Sequence, residues 1–205
     1  MRQKGGIPGA ASAVEFVPAN YFRPIAPAEM FSRAAAIEVD LGCGDGAYLK
    51  ALAGQKQDRN FLGIERLRGR VHSACHKIQQ ADLGNARILC VEIAYAVAHL
   101  LPPHSIAVFH LMFPDPWPKR RHQHRRLVTV DFLASIHRAL IPRGTLQIAT
   151  DQRDYFRQIE SVAAQSPQFT PISAQDPPAA QSTFEKRFCH TSIYRLGLRN
   201  VSDVT

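Results

Sequence analysis

Asp40-Leu41-Gly42-Cys43-Gly44-Asp45-Gly46 stands between the apolar run Ala34-Ala35-Ala36-Ile37-Glu38-Val39 and the helix-forming stretch Ala47-Tyr48-Leu49-Lys50-Ala51-Leu52-Ala53. The first run reads as a buried strand and the last as a helix, so the glycines mark a strand–turn–helix junction. Glycine at such a junction allows a tight turn and lets a ligand approach the backbone closely. The helix start then offers unpaired N–H groups and a partial positive charge to an anionic ligand group. Asn60-Phe61-Leu62-Gly63-Ile64-Glu65 reads as a second strand ending in an acid. Glu65 lies 19 residues beyond Gly46, a suitable distance for a carboxylate that accepts from ribose hydroxyls.

The glycine spacing separates two ligand classes. A dinucleotide fingerprint is G-x-G-x-x-G, opening a helix onto a pyrophosphate. Here the pattern is G-x-G-x-G at Gly42, Gly44 and Gly46, preceded by Asp40. An acid in that position repels a pyrophosphate and suits a cationic ligand. S-adenosylmethionine carries an ammonium, a sulfonium and a ribose but no phosphate, so Asp40 suits its ammonium and Glu65 its ribose. A nicotinamide-dependent dehydrogenase shares the strand, turn and distal acid. It is disfavoured by the spacing and by the lack of an assignable hydride-transfer site.

A second motif is Phe113-Pro114-Asp115-Pro116-Trp117-Pro118-Lys119, followed by Arg120-Arg121-His122-Gln123-His124-Arg125-Arg126. Phe113, Asp115 and Trp117 each precede a proline, which favours extended backbone angles and predicts three side chains along one wall. Such a wall suits a flat polar ring beside a phosphate-binding surface. Lys and Arg number 25 against 17 acids, and residues 119–126 hold five of those bases and no acid. Without them the count is 20 against 17, so more than half of the excess charge of +8 sits in eight residues. Leu127, Val130, Ala134 and Leu140 then recur at helical spacing, which predicts that the basic cluster precedes or opens a helix. Positive charge at a helix start is unfavourable, so helix stability does not account for it; binding a polyanion does.

The remaining chain alternates. Ala86 to Val91 and Ser105 to Phe113 read as a third and a fourth strand. Pro142-Arg143-Gly144 breaks the helix that follows, Thr145 to Thr150 reads as a fifth strand, Asp151 to Ala164 as a helix, and Ile193 to Leu198 as a last strand. This predicts a parallel α/β sheet with ligands outside the carboxyl ends of its strands, where Asp40, Glu65, Asp115 and Asp151 all fall. At 205 residues and 45% hydrophobic, the chain suits one globular domain. Residues 1–33 read as a partly disordered N-terminal arm, 34–199 as the domain and 200–205 as a tail. Residues 170–182 read as a mobile loop. No run approaches the ~20 apolar residues that span a bilayer, and no signal peptide is expected. Cys43, Cys75, Cys90 and Cys189 are widely spaced, which points away from disulfides and towards a cytoplasmic location. His72, Cys75 and His76 lack further ligands at metal spacing, so no metal is expected. His110 reads as a packed or hydrogen-bonded core histidine. Monomer and homodimer are equally open.

From about Ile37 to Leu198 the chain resembles the bacterial tRNA (guanine-N7-)-methyltransferases. Phe113-Pro-Asp-Pro-Trp-Pro-Lys-Arg-Arg-His with Arg125-Arg126 is the specific match, and Thr150-Asp151 and Ser182-Thr-Phe-Glu-Lys-Arg187 agree independently. The resemblance implies a Rossmann-like class I S-adenosylmethionine-dependent methyltransferase, with a mostly parallel seven-stranded sheet and an antiparallel last strand. It implies methyl transfer to a guanine N7 in the tRNA variable loop. The implied donor residues are Asp40, Gly42, Gly44, Gly46, Glu65 and Glu92, with Asp115 at the reacting centre. Lys119, Asp151 and Ser182, Thr183, Phe184 and Glu185 are implied for the target guanosine. Arg120, Arg121, His122, Arg125 and Arg126 are implied for the RNA backbone. Where the family usually has Gly-Asp-Ala, this chain has Val91-Glu92-Ile93, which keeps the acid on a longer side chain. That departure motivates the alternative of a non-catalytic tRNA-binding paralogue or a partner-dependent subunit.

Overall fold

The computed structural model describes residues 14–174 and 192–201. Its elements run in the order β1 (Glu15–Phe16), α1 (Pro27–Met30), β2 (Ile37–Leu41), α2 (Ala47–Gln55), β3 (Asn60–Glu65), α3 (Arg68–Gln80), β4 (Ala86–Cys90) and α4 (Ile93–Tyr95). After these come β5 (Ile106–Met112), α5 (Val130–Ala139), β6 (Leu140–Thr150), α6 (Arg153–Ala164), β7 (Phe169–Ile172) and β8 (Tyr194–Asn200). A single sheet has the order β1-β4-β3-β2-β5-β6-β8-β7. All pairings from β1 to β6 are parallel, and β8 runs antiparallel to both β6 and β7.

Strand order reverses at β2, because β3 lies on one side of it and β5 on the other. In open α/β sheets, ligands bind at such a reversal, beyond the carboxyl ends of the strands. Alternate side chains of each strand feed two cores. Val39, Leu41, Leu62, Ile64, Phe109 and Leu111 face α5 and α6. Phe61 and Ile88 face Leu49 and Leu52 of α2 and Val71, Ala74 and Ile78 of α3. No helix among the described residues is long and apolar enough to cross a membrane.

Among the described residues the sheet has eight strands rather than the expected seven. Residues 14–33, grouped in the sequence with a terminal arm, supply β1, which pairs Glu15 with Ile88, and bury Ile25, Met30 and Phe31 in the core. Thr170 to Ile172, expected in a loop, form most of β7; Pro171 is tolerated because β7 is the outermost strand. The break at Pro142-Arg143-Gly144 is not in a helix. α5 ends at Ala139, and β6 carries the three residues as an irregularity in which the steps from Leu140 to Thr145 face only those from Ile106 to Val108. The basic cluster forms its own 3₁₀ turn over Arg120–Arg125 and does not open a helix. α5 starts separately, capped by Thr129, whose hydroxyl accepts from the Phe132 N–H at 3.1 Å.

One polar cluster is buried beneath α2. Glu38 on β2 is fully buried and accepts from Lys56 Nζ at 3.0 Å and Arg59 at 2.7 Å. Its second oxygen lies 2.8 Å from His110 Nε2, and His110 Nδ1 lies 3.3 Å from the Tyr48 hydroxyl. His110 is therefore the hydrogen-bonded core histidine expected from sequence. Burial alone pushes the Glu38 carboxyl up, but the hydrogen bonds and charges of His110 and Lys56 outweigh it and hold it at about 2, against an ordinary 4.5. A depressed carboxyl stabilises the fold above its unfolded pKa. That stability is present above about pH 4.5 and is lost as pH falls towards 2. Glu38→Gln is expected to cost about 2–4 kcal/mol at pH 7, because it removes the buried negative charge that pairs with Lys56 and Arg59 and puts an amide N–H among these cations. It is also expected to flatten the loss of stability between pH 5 and 3. Urea unfolding at the three pH values checks both.

Candidate active site

The turn after β2 is built on backbone that only glycine adopts freely. Gly42, Gly44 and Gly46 have φ of 81°, 55° and 76°. The Gly42 and Cys43 N–H groups both donate to the Ile64 carbonyl, at 2.8 and 3.0 Å, which seats the turn over the end of β3. A Cβ on Gly46 would lie 2.7 Å from the Ala74 Cβ, so that glycine also sets how closely α2 meets α3.

Beyond this turn is a cavity of about 450 Å³. Its lining collects Gly42 after β2, Glu65 at the end of β3, Arg66, Leu67 and Arg70 following it, and Glu92 and Ile93 after β4. From the β5 side it collects Phe113, Asp115, Trp117 and Arg125. Of the residues singled out in the sequence, Gly42, Glu65, Glu92, Asp115 and Arg125 therefore meet in one place. Asp40, Gly44, Gly46, Lys119, Arg120, Arg121, His122, Arg126 and Asp151 are outside the lining. Asp151 sits just past β6, with its carboxylate 3.1 Å from the Gln152 amide. Ser182, Thr183, Phe184 and Glu185 lie outside the described residues.

Asp40 is buried under the turn, between Gly63 and His110 of the neighbouring strands. Its Oδ2 has no hydrogen-bond partner among the described residues. Burial, and then the charge of Glu65, push its carboxyl up to about 7. Glu65 accepts from the Leu67 N–H at 2.8 Å, and Arg70 approaches its other oxygen at 4.0 Å. Glu92 caps α4 by accepting from the Tyr95 N–H at 2.8 Å, so its longer side chain serves the backbone as well as the cavity.

The proline loop departs from its expected backbone. Phe113 and Trp117 have φ of 55° and 43°, in the left-handed region rather than the extended one. The Phe113 N–H prolongs the β5–β6 pairing by donating to Ala149 at 2.8 Å, and the chain then turns sharply across the strand ends. Tertiary contacts hold this geometry against a local cost of about 1–3 kcal/mol per residue. The main anchor is Arg126. Its side chain is 3% exposed, and it donates to the Pro116 carbonyl at 2.8 Å, Gln158 at 2.6 Å and Asp154 at 2.6 Å. It also lies over the Tyr155 ring. Arg126, read in the sequence as an RNA contact, is therefore a tie between the loop and α6, because its guanidinium is spent inside the protein. Arg125 remains exposed and lies 5.1 Å over the Trp117 ring, which His122 meets edge-on. Arg66, Leu67 and Arg70 went unnoticed in the sequence. The signal available was their position directly after the acid that ends a strand.

A family model described as a putative methyltransferase matches residues 34–191. The tRNA (guanine-N(7)-)-methyltransferase of Halorhodospira halophila is 35% identical over 179 residues, covering 82% of this chain and 78% of that protein. The chain belongs to this family. The corresponding enzymes of Rubrobacter xylanophilus and Bordetella pertussis are 36% and 37% identical, over 64% and 71% of this chain. The chain spans 58% and 57% of the length of those two relatives. Among solved structures, the 16S rRNA methyltransferase KamB superposes with a TM-score of 0.60 at 14% identity, covering 87% of this chain and 94% of that one. An rRNA methylase from Streptococcus thermophilus gives 0.56 at 16% identity, covering 82% and 88%. These likenesses establish the class I methyltransferase fold.

Membership in this methyltransferase family implies S-adenosylmethionine as donor, and the residues fit it. An unpartnered buried carboxyl suits a cation, and the glycine turn leaves room for close approach.

Two outcomes follow from the buried charges. A carboxyl at about 7 in the fold, against 3.8 ordinarily, keeps its proton when folded and loses it when unfolded, so it withdraws stability as pH rises from about 4 to 7. Asp40→Asn is expected to shrink the stability lost between pH 5 and 8 by on the order of 2 kcal/mol, read by urea unfolding at both. Arg126→Lys cannot keep three divergent bonds. We expect it to cost about 2 kcal/mol, to lower the melting temperature by roughly 4–8 °C and to red-shift the emission of Trp117, the only tryptophan.

Proposed function

We propose that this chain transfers a methyl group from S-adenosylmethionine to N7 of a guanine in the variable loop of tRNA. The observation that carries this is one cavity whose walls are the glycine turn with Glu65 and Glu92 on one side and Asp115, Trp117 and Arg125 on the other. One half suits a cationic nucleoside donor and the other a flat base attached to phosphates.

The donor supplies an electrophilic methyl on a sulfonium. Guanine N7 carries a lone pair and no proton, so the chain needs no general base to create the nucleophile. Its residues have two tasks, alignment and a negative environment for the purine cation that develops. Alignment accounts for roughly 7–11 kcal/mol of such a barrier. Asp40 supplies negative charge beneath the turn for the donor's ammonium, Glu65 accepts from its ribose, and Glu92 lies toward the adenine. Asp115 accepts from the N1–H and amino edge of guanine, which orients the ring and offsets the charge that N7 acquires. Lys119, Asp151 and the segment Ser182–Glu185 hold the guanosine. Arg120, Arg121, His122 and Arg125 take RNA phosphates, and Trp117 offers a ring face for stacking once Arg125 turns to a phosphate.

The test is methyl transfer from labelled S-adenosylmethionine into bulk unmodified tRNA, read by nucleoside mass spectrometry. 7-Methylguanosine is the expected product. Asp115→Ala is expected to lower turnover by about 10²–10³ while leaving donor affinity largely intact. Near wild-type turnover in that variant would remove Asp115 from the reacting centre. Firm tRNA binding without product would return the chain to a non-catalytic paralogue or a partner-dependent subunit.

A further inference from the structure

The excess positive charge has a second source besides the basic loop. Residues 66–80 hold Arg66, Arg68, Arg70 and Lys77 and no acid. Together with residues 119–126 they account for nine bases and no acid, which leaves 16 bases against 17 acids in the rest of the chain. Outside these two segments the protein is close to neutral.

Both segments border the same cavity. Arg66 and Arg70 line it from the β3 side and Arg125 from the β5 side, with the turn after β2 between them. Local stability does not account for the arginines. They stand before and within the first turn of α3, which has no acid there, and cations at a helix N-terminus are unfavourable. Their partners are weak. Arg68 is 77% exposed and 3.6 Å from Glu15, and Arg70 is 61% exposed and 4.0 Å from Glu65. Arg66 is exposed and makes no side-chain hydrogen bond or ion pair among the described residues.

We propose that Arg66, Arg68 and Arg70 form a second phosphate-binding strip across the cavity mouth from Lys119–Arg125, so that the tRNA bridges both rims. This rests on the reading of tRNA as substrate and adds where its backbone is held. A strand gripped on one rim alone can pivot about the basic loop. Phosphates held on both rims fix the angle at which the target base enters, and they cover the bound donor.

The test compares Arg66→Gln/Arg68→Gln with Arg143→Gln/Arg199→Gln. The second pair removes two equal charges at the far end of the sheet, where Thr145 faces Arg199. Affinity for unmodified tRNA is measured by filter binding between 50 and 200 mM salt, and donor affinity by calorimetry. The first variant is expected to bind tRNA about tenfold more weakly at the higher salt and to reduce the salt slope by about 1–2. Its donor affinity should change far less, and the distal variant should bind tRNA within twofold of wild type. Equal losses in both variants would reduce the effect to net charge and overturn the proposal, as would an unchanged slope in the first. A donor affinity that falls as far as the tRNA affinity would overturn it too. A wild-type chain that makes no 7-methylguanosine defeats the proposed reaction instead, and the affinity comparison stands apart from it.

Discussion

The seating of the turn after β2 on the end of β3 is the contact on which the site depends. Gly63 makes it possible, because a Cβ there would lie 2.7 Å from Cys43 Sγ, 2.8 Å from Leu49 and 2.9 Å from Ile88. Without that space Cys43 and Leu49 would have to shift off the end of β3. Burial also pushes the Cys43 thiol up, so the one sulfur inside the turn is packing rather than a nucleophile.

Glu38 and Asp40 are two residues apart on one strand and point to the same side of the sheet, yet their charges are treated in opposite ways. Glu38 is surrounded by Lys56, Arg59 and His110 and stays ionised well into acid. Asp40 has the negative Glu65 nearby and an oxygen with no partner. The difference is positional. Glu38 lies where the end of α2 and the loop after it bring cations, whereas Asp40 lies under the glycine turn at the strand-order reversal. Buried polar groups are ordinarily satisfied, and an unsatisfied carboxyl at a strand-order reversal is one that a cationic ligand can complete.

Much of this was legible in the sequence. The strand–turn–helix at Asp40, the acid ending β3 and the alternation of elements through α6 all appear as periodic apolar runs cut by glycine and proline. The strand ends then place Asp40, Glu65, Asp115 and Asp151 along one edge. What escaped was decided by contacts far apart in the chain. β1 is two residues long and exists only because β4 offers an edge. Pro171 argues against a strand until β7 is known to be outermost. The positive φ of Phe113 and Trp117 contradicts the local bias of residues before proline, and Arg126 looks like any member of a basic run. Its burial depends on Asp154 and Gln158, about 30 positions away, which no local pattern connects to it.

The unpartnered oxygen of Asp40 bears on how long the molecule lasts as well as on what it binds. With that carboxyl uncompensated, the fold gives up part of its stability near neutral pH. A cation that reaches it restores some of this and adds its own binding energy to the native state. The fraction of chains open to proteolysis at any moment therefore tracks how much ligand is at hand. Resistance to proteolysis is therefore expected to rise with the concentration of any ligand that binds the native chain.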